Sequence, residues 1–224
     1  MNSRPELKLD WATPEAASYA CQRWHYSGTL PANKSNRLGV WEGGKYVGCL
    51  IFGLGASPSL GKPYGLGIFD ICELTRVALT AHEWPVSKMV KVALGFLKCK
   101  NPGLRLVVSF ADEYHGHHGG IYQAGGWVYA GRSSPSKMVK ALDGKLFDLR
   151  RFNGHGHNKK KAIPAGAGII AMPGKHRYLM PLDKKMAEQI KPLSKPYPKR
   201  VKQAMAGPPA QRQGSADLHA PMAQ

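Results

Sequence analysis

The chain is poor in acidic residues: Asp and Glu total 14 against 32 Lys and Arg in 224 residues, a formal net charge of +18. A surface so short of carboxylates attracts polyanions through counterion release, which points to nucleic acid as a partner. Long apolar runs are also missing. No segment approaches the roughly 20 apolar residues that a membrane-spanning helix needs. Nor does any basic amphipathic helix carry a Trp/Phe/Leu face suited to a lipid surface. The opening MNSRPELKLD has no apolar stretch of the signal-peptide kind. Cysteine is sparse, and Cys21, Cys49, Cys72 and Cys99 lie far apart without a CxxC pair. That spacing argues against a cysteine zinc site and for reduced, buried thiols, hence a cytoplasmic protein with no membrane partner.

What is present fits one globular domain. Hydrophobic residues make up 43% of the chain, enough for a core at this length. The positive charge is uneven: residues 1–149 hold 17 basic and 11 acidic residues, residues 150–224 hold 15 and 3. We expect a domain over residues 1–182. Residues 183–224, with KPLSKPYPKR and then AGPPAQRQGSADLHAPMAQ, are expected to form a basic Pro/Lys-rich tail, largely disordered.

The order of elements is α/β. A helix is predicted from Thr13, with Pro14 in its first turn. RLGVWEGG and KYVGCLIFG read as two strands of a hairpin turning at Gly43-Gly44. ASPSLGKPYGLGIF is a loop, long enough to serve as a binding element. DICELTRVAL is a strand whose alternation places Cys72, Leu74, Arg76 and Ala78 on one side. PVSKMVKVALGFLKCK is an amphipathic helix with Pro85 at its first position and Val86, Met89, Val90, Ala93, Leu94 and Leu97 as its buried stripe. LRLVVSFAD is a strand buried on both faces, as in the parallel part of a sheet. GGIYQAGG is a short helix and WVYAG a further strand. RRFNGHGHNKKK is a basic loop, and AGAGIIAM and HRYLMPL are closing strands.

The run HGHH, His115 to His118, contains no helical i, i+4 ligand pair of the HExxH kind and no nearby Cys. Glycine-spaced histidines do bind iron or zinc in some settings, with His25 or Asp112 as further ligands, so a metal ion stays open. The preferred reading is a loop entering the GGIYQ helix, where the imidazoles contact phosphate or a donor molecule.

The succession CELTRVAL, amphipathic helix, SFAD, IYQAGGWVYAG resembles the core of the GNAT-like N-acyltransferase superfamily, a mixed sheet flanked by helices. A closer resemblance is to the phage Mom family, the Mu-type DNA-modification proteins. It is carried by WHYSGTLP, VWEGGKYVGCLIFG, CELTRVALTAHEWPVSKMV, PGLRLVVSFAD and GHHGGIYQAGGWVYAG, across residues 20–131. The resemblance implies a GNAT-like transferase that places a carbamoylmethyl-type group on the exocyclic amine of adenine in DNA and so shields phage DNA from host restriction.

In such a fold the helix start at Val86, Ser87 and Lys88 would offer free amides and a positive dipole end to the phosphates of a donor. This sequence departs from the acetyltransferase pattern there: HEWPVSK has no glycine to let the backbone close on a pyrophosphate. The donor is therefore left open between an acyl-CoA and an aminoacyl compound. The adenine amine is a weak nucleophile, because its lone pair is delocalised into the ring, so the enzyme needs a base and hydrogen-bond donors. Asp112 is the first candidate for acid/base work or for the adenine edge. Ser109 shares its strand, an odd number of positions away. His25 and Tyr26 end the first helix and would close over the substrate. Arg76 would orient the donor, or else pair with a buried acid such as Glu73 or Asp112. Tyr122 is a candidate general acid or a plain core residue. A duplex base must leave its stack to react, and Trp24, Tyr26 and Tyr64 are candidates to stack on it. Arg150, Arg151, Lys159, Lys160 and Lys161 would track phosphates without reading sequence. An acyltransferase acting on RNA or protein, a non-catalytic basic DNA-binding protein and a histidine-metal nuclease are the alternatives.

Overall fold

The Thr13 side chain accepts the Ala16 amide, and Pro14 opens α1 (Pro14–Trp24), as the helix-start residues predict. Ahead of it runs an edge strand the sequence reading did not include, β1 (Leu7–Trp11). These features belong to a computed structural model that describes residues 3–55, 57–153 and 161–199. Gly43 and Gly44 both sit at positive φ, 54° and 79°. Two such residues are what a two-residue hairpin turn requires, and they join β2 (Ser35–Glu42) to β3 (Lys45–Gly53). There follow β4 (Ile71–Leu79), α2 (Val86–Lys100), β5 (Leu106–Ala111), α3 (Gly120–Ala124) and β6 (Val128–Arg132). Next come β7 (Ser136–Lys140), β8 (Leu146–Asp148), the short α4 (Arg150–Asn153) and β9 (Gly168–Met172). The described chain closes with β10 (His176–Pro181) and α5 (Lys184–Ile190).

Seven strands form the main sheet in the order β1-β2-β3-β4-β5-β10-β6, and β8-β7-β9 form a small second sheet. In the main sheet β4 and β5 run parallel and the other paired strands antiparallel. Val107 and Ala111 of β5 face the cluster built on α2, while Leu106 and Val108 face the cluster under α5. That two-sided burial is what its continuous apolar run anticipated. On the α2 face Met89, Val90, Ala93, Leu94 and Leu97 pack against Leu38, Leu50, Phe52 and Leu74. On the other face α1 lays Ala17, Ala20 and Cys21 on Cys49, Ile51 and Ala78. Among the described residues no helix is long and apolar enough to cross a membrane.

Three expectations need correction. The alternation read for β4 breaks at Thr75: Ile51 pairs with Arg76 but Phe52 pairs with Leu74, so Thr75 is an extra, bulged residue. Cys72, Leu74, Val77 and Leu79 therefore share the α2 face, and Arg76 and Ala78 turn to the α1 face. Tyr64 cannot stack on a base as it stands, because it is buried in the cluster with Leu66, Ile71 and Met186. Its loop is a packed element, with a 3-10 turn at Lys62–Tyr64 and a bond from Gln189 Nε2 to the Tyr64 carbonyl.

The third correction concerns the expected tail, which does not begin at residue 183. Asp183 caps α5 by accepting the Met186 amide at 2.7 Å and pairs with Arg105 at 2.9 Å. Met186 and Ile190 are fully buried, each such burial stabilising by roughly 1.5–3 kcal/mol. The chain stays attached through residue 198: the Lys195 amide donates to Tyr129 O, Tyr197 Oη to Trp127 O, and Gln123 Nε2 to Pro198 O. Residues 200–224 lie outside the described residues. A Pro/Lys-rich composition concealed this segment because only two of the seven α5 residues reach the core.

Met186→Ala is expected to cost about 2–4 kcal/mol in a urea or guanidinium melt. A change below half a kcal/mol would mean that α5 does not pack on the sheet.

Candidate active site

β4 and β5 pair over only four residues each, Ile71–Leu74 with Leu106–Ser109. Beyond that point β4 continues to Leu79 while β5 ends at Ala111, so the ladder between them stops short of their C-terminal ends. Ser109 holds the last paired position. Its buried hydroxyl is bonded to the Leu74 carbonyl at 2.8 Å and to the Tyr122 hydroxyl at 2.7 Å. Tyr122, on α3, is packed against Trp127 and Tyr178. Burial pushes its phenol up to about 12, with the Ser109 bond opposing, so it stays protonated across the neutral range.

Asp112 follows β5 directly and caps the 3-10 turn Glu113–His115, its Oδ1 accepting the Tyr114 amide at 3.1 Å. Its Oδ2 lies 2.8 Å from Lys175 Nζ. The cation that meets Asp112 is thus Lys175 rather than Arg76. The Arg76 guanidinium, placed on the α1 face by the Thr75 bulge, instead donates to the carbonyls of Thr75 (2.8 Å) and Thr29 (3.5 Å). It thereby fastens the loop after α1 to β4.

That loop carries His25 and Tyr26. The two rings lie 4.3 Å apart, and on its other side Tyr26 stacks on His115 at 4.2 Å, with His117 at 5.6 Å. The HGHH run is therefore the loop into α3, with two of its imidazoles against Tyr26. His25 is driven down to about 3 by burial first, then by the positive charge of Arg76, by His117 and His115, and by Lys175. Burial also lowers His115 and His117. His25 Nδ1 accepts the Ser27 amide at 3.1 Å, which places the proton of the neutral ring on Nε2. His25 is therefore a hydrogen-bond donor through Nε2 at neutral pH. Partial burial raises the Tyr26 phenol, with Lys175 opposing and Asp112 reinforcing. Taken together, the arrangement offers neutral N–H and O–H donors, the cations Arg76 and Lys175 and the carboxylates Asp112 and Glu73 beside an exposed ring stack. Such a set can hold a planar polar ligand and stabilise an oxygen on which charge develops.

Of the six residues expected to do chemistry, His25, Tyr26, Arg76 and Asp112 come together beyond the last β4–β5 pair, with Ser109 and Tyr122 joined at that pair. The donor-site expectation is only partly met. Val86 and Ser87 begin α2, but the Lys88 amide is not free, since it donates to Pro85 O at 2.9 Å. Pro85 precedes the first helical residue instead of occupying it. Just before it, the amides of Glu83 and Trp84 are both taken by the buried Glu42 carboxylate, at 2.8 and 2.9 Å. Trp24 packs edge-on to Tyr19 and tilted against Tyr46. Of the basic cluster, Arg151 on α4 lies over the Phe147 ring and the Lys161 amide donates to Phe152 O. Lys159 and Lys160 lie outside the described residues, as does the side chain of Arg150. Among the described residues no group of three or more His, Cys, Asp or Glu side chains is arranged to hold a metal ion.

Sequence reasoning missed Lys175 and Glu42. No local signal marks either, since each acts on a partner far away in the chain.

The fold and site define a mixed α/β protein with its polar site where two parallel strands part. The sequence matches the Mom protein family over residues 6–199, and the chain belongs to that family. It is 26% identical over 206 residues, 87% of this chain and 84% of the relative, to the methylcarbamoylase mom of Escherichia phage Mu.

The low His25 value makes folding pH-dependent. The unfolded chain takes a proton on this ring near the ordinary value of 6.5, the folded chain only near 3. The stability that neutral His25 contributes is therefore complete above about 6.5 and drains away as the pH falls toward 3. His25→Gln is expected to flatten the fall of unfolding free energy between pH 6.5 and 4 by up to about 1 kcal/mol per pH unit. Denaturant melts across that range check it, and an unchanged slope would mean His25 titrates normally.

Proposed function

We propose that this protein is a phage DNA-modification enzyme that transfers a methylcarbamoyl group, the acyl isomer of the carbamoylmethyl group that the sequence resemblance implies, to the exocyclic N6 amine of adenine in DNA, protecting phage DNA from host restriction. The observation that carries the reading is the likeness, over 87% of the chain, to a protein named methylcarbamoylase. The fold assignment that goes with it is GNAT-like, supported by the parting of β4 and β5 with a helix following each. The donor belongs to the activated acyl class, an acyl-CoA or an aminoacyl compound, bound near the start of α2.

In this reading N6 of an extruded adenine attacks the carbonyl carbon of the acyl donor. A new N–C bond forms, the amine proton leaves to a base, and the donor's leaving group departs with its electron pair. Of the two carboxylates whose charge reaches Tyr26, Asp112 and Glu73, Asp112 is the one that also bears on His115 and His117, and it accepts from the adenine amine. Each of its oxygens is already held by one partner and has a second acceptor position free. His25 Nε2–H and the Arg76 guanidinium lie where they steady the electrophile's oxygen in a site of low dielectric. Tyr26 is sandwiched by His25 and His115, and the outer face of that exposed stack is the flat aromatic surface on which a base that has left the duplex would lie. Arg151 and Lys161 contribute contacts to the phosphate backbone, which position DNA without specifying sequence.

Nucleosides from plasmid DNA of cells expressing the wild type, analysed by mass spectrometry, are expected to include a heavier deoxyadenosine. Asp112→Ala is expected to lower its amount by roughly a hundredfold or more. Unmodified DNA alongside modified nucleoside in the RNA fraction would move the substrate to RNA. Unmodified nucleic acid of both kinds from a folded protein would remove the reading.

A further inference from the structure

The second small sheet interrupts the main one. The chain leaves β6 at Arg132, runs through β7, β8 and β9, and returns at Lys175 to begin β10. The two ends of this excursion are fastened together. The Ser133 amide donates to Lys175 O at 2.9 Å, and the Lys175 amide donates to Ser133 Oγ at 3.0 Å. Gly174 lies so close to this junction that a Cβ there would meet Ser133 O at 1.8 Å. The backbone of Lys175 is thus held in one place, and that place faces the C-terminal end of β5.

From it the Lys175 side chain crosses to Asp112 Oδ2 at 2.8 Å. The two partners differ in exposure: the Asp112 side chain is 9% accessible and that of Lys175 46%. An enclosed carboxylate has few ways to be compensated. The groups facing it are the Tyr114 amide on its own turn and the Lys175 ammonium from the sheet junction. Glu113, next to Asp112 in the chain, is engaged elsewhere, with Arg132 at 2.6 Å. The same ammonium bears on His25, Tyr26 and His115, so it sits inside the cluster instead of on its rim.

We propose that Lys175 is a positioning residue of this site: it fixes the Asp112 carboxylate against the His25–Tyr26–His115 stack, in the orientation that receives the substrate amine. The inference rests on the DNA-modification reading for its activity test, and on geometry alone for its structural test. Held on one side by a backbone amide and on the other by an ammonium, the carboxylate keeps one rotamer. Its remaining lone pairs then point in fixed directions. Removing the ammonium releases Oδ2 and lets the side chain turn toward water.

Four variants test this: Lys175→Met keeps the aliphatic stem, Lys175→Arg keeps the charge, Asp112→Asn removes the carboxylate's charge, and Lys175→Met/Asp112→Asn removes both. With the wild type modifying deoxyadenosine, Lys175→Met is expected to lower the modified nucleoside roughly tenfold to a hundredfold. Its melting temperature is expected to stay within about 3 °C of the wild type. Lys175→Arg is expected to restore most of the activity. The double variant is expected to be no worse than Asp112→Asn alone, because the two residues act as one unit. Full activity in Lys175→Met, or a double variant that adds both losses, overturns the proposal and leaves the function standing. If the wild type modifies nothing, the function fails while this proposal is decided by the crystal structure of Lys175→Met. A displaced Asp112 carboxylate supports it, and an unmoved one overturns it.

Discussion

The site depends on one parting of strands. Parallel neighbours normally stay paired along their shared length, because each unpaired backbone group inside the protein must find another partner. Here β4 and β5 separate after Leu74 and Ser109, and the missing ladder is made good by side chains. The Ser109 hydroxyl takes the Leu74 carbonyl and ties in Tyr122. The bulge at Thr75 adds twist just past the parting and reverses the facing of the residues after it. Without that reversal Arg76 would enter the apolar cluster under α2, where an unpaired guanidinium is very costly. With it, the guanidinium reaches the carbonyl of Thr29 and steadies the loop that carries His25 and Tyr26.

Charge in the cluster is arranged sparingly. In a chain with a formal excess of 18 positive charges, the groups nearest the ring stack are neutral imidazoles and protonated phenols. Burial is the leading cause of the shift at His25, at His115 and at His117. The cations, Arg76 and Lys175, add to the effect at His25. A positively charged imidazole stack would hold a polyanion but would oppose the approach of an electrophile and bind water tightly. Neutral rings leave flat surfaces and directional N–H donors instead.

Much of the frame was legible because it follows local rules. Gly43-Gly44, Thr13-Pro14, the apolar stripe of α2 and the unbroken apolar run of β5 each specify their element within a few residues. The site was legible in part for the same reason: Asp112 ends a buried strand and His25-Tyr26 ends a helix, places where chemistry-bearing side chains gather. What stayed hidden is non-local. The Thr75 bulge is set by the pairing of β4 with β3 and leaves no mark in CELTRVAL. Lys175 sits in an unremarkable Pro-Gly-Lys turn, and its role appears only when β10 is seen to lie between β5 and β6. The packing of α5 was masked by composition, since Lys184, Lys185 and Lys191 surround the two residues that enter the core.

The position of β10 links the charge distribution to the site. Residues 150–224 carry 15 basic and 3 acidic residues, and the first part of the chain places its one enclosed cluster carboxylate, Asp112, at the end of β5. Inserting β10 beside β5 brings a lysine from the basic C-terminal third to that carboxylate, and the same topology sends the β7–β9 sheet, with Arg151 and Lys161 near it, out from the same end. In the proposed reading, a polyanion drawn to this basic third of the chain meets the end of the sheet where the strands part. Had β10 paired on the outer edge of β6 instead, the order of elements in sequence would be unchanged, but Asp112 would lose its cation. The order of strands, more than any single residue, is what joins attraction to chemistry in this fold.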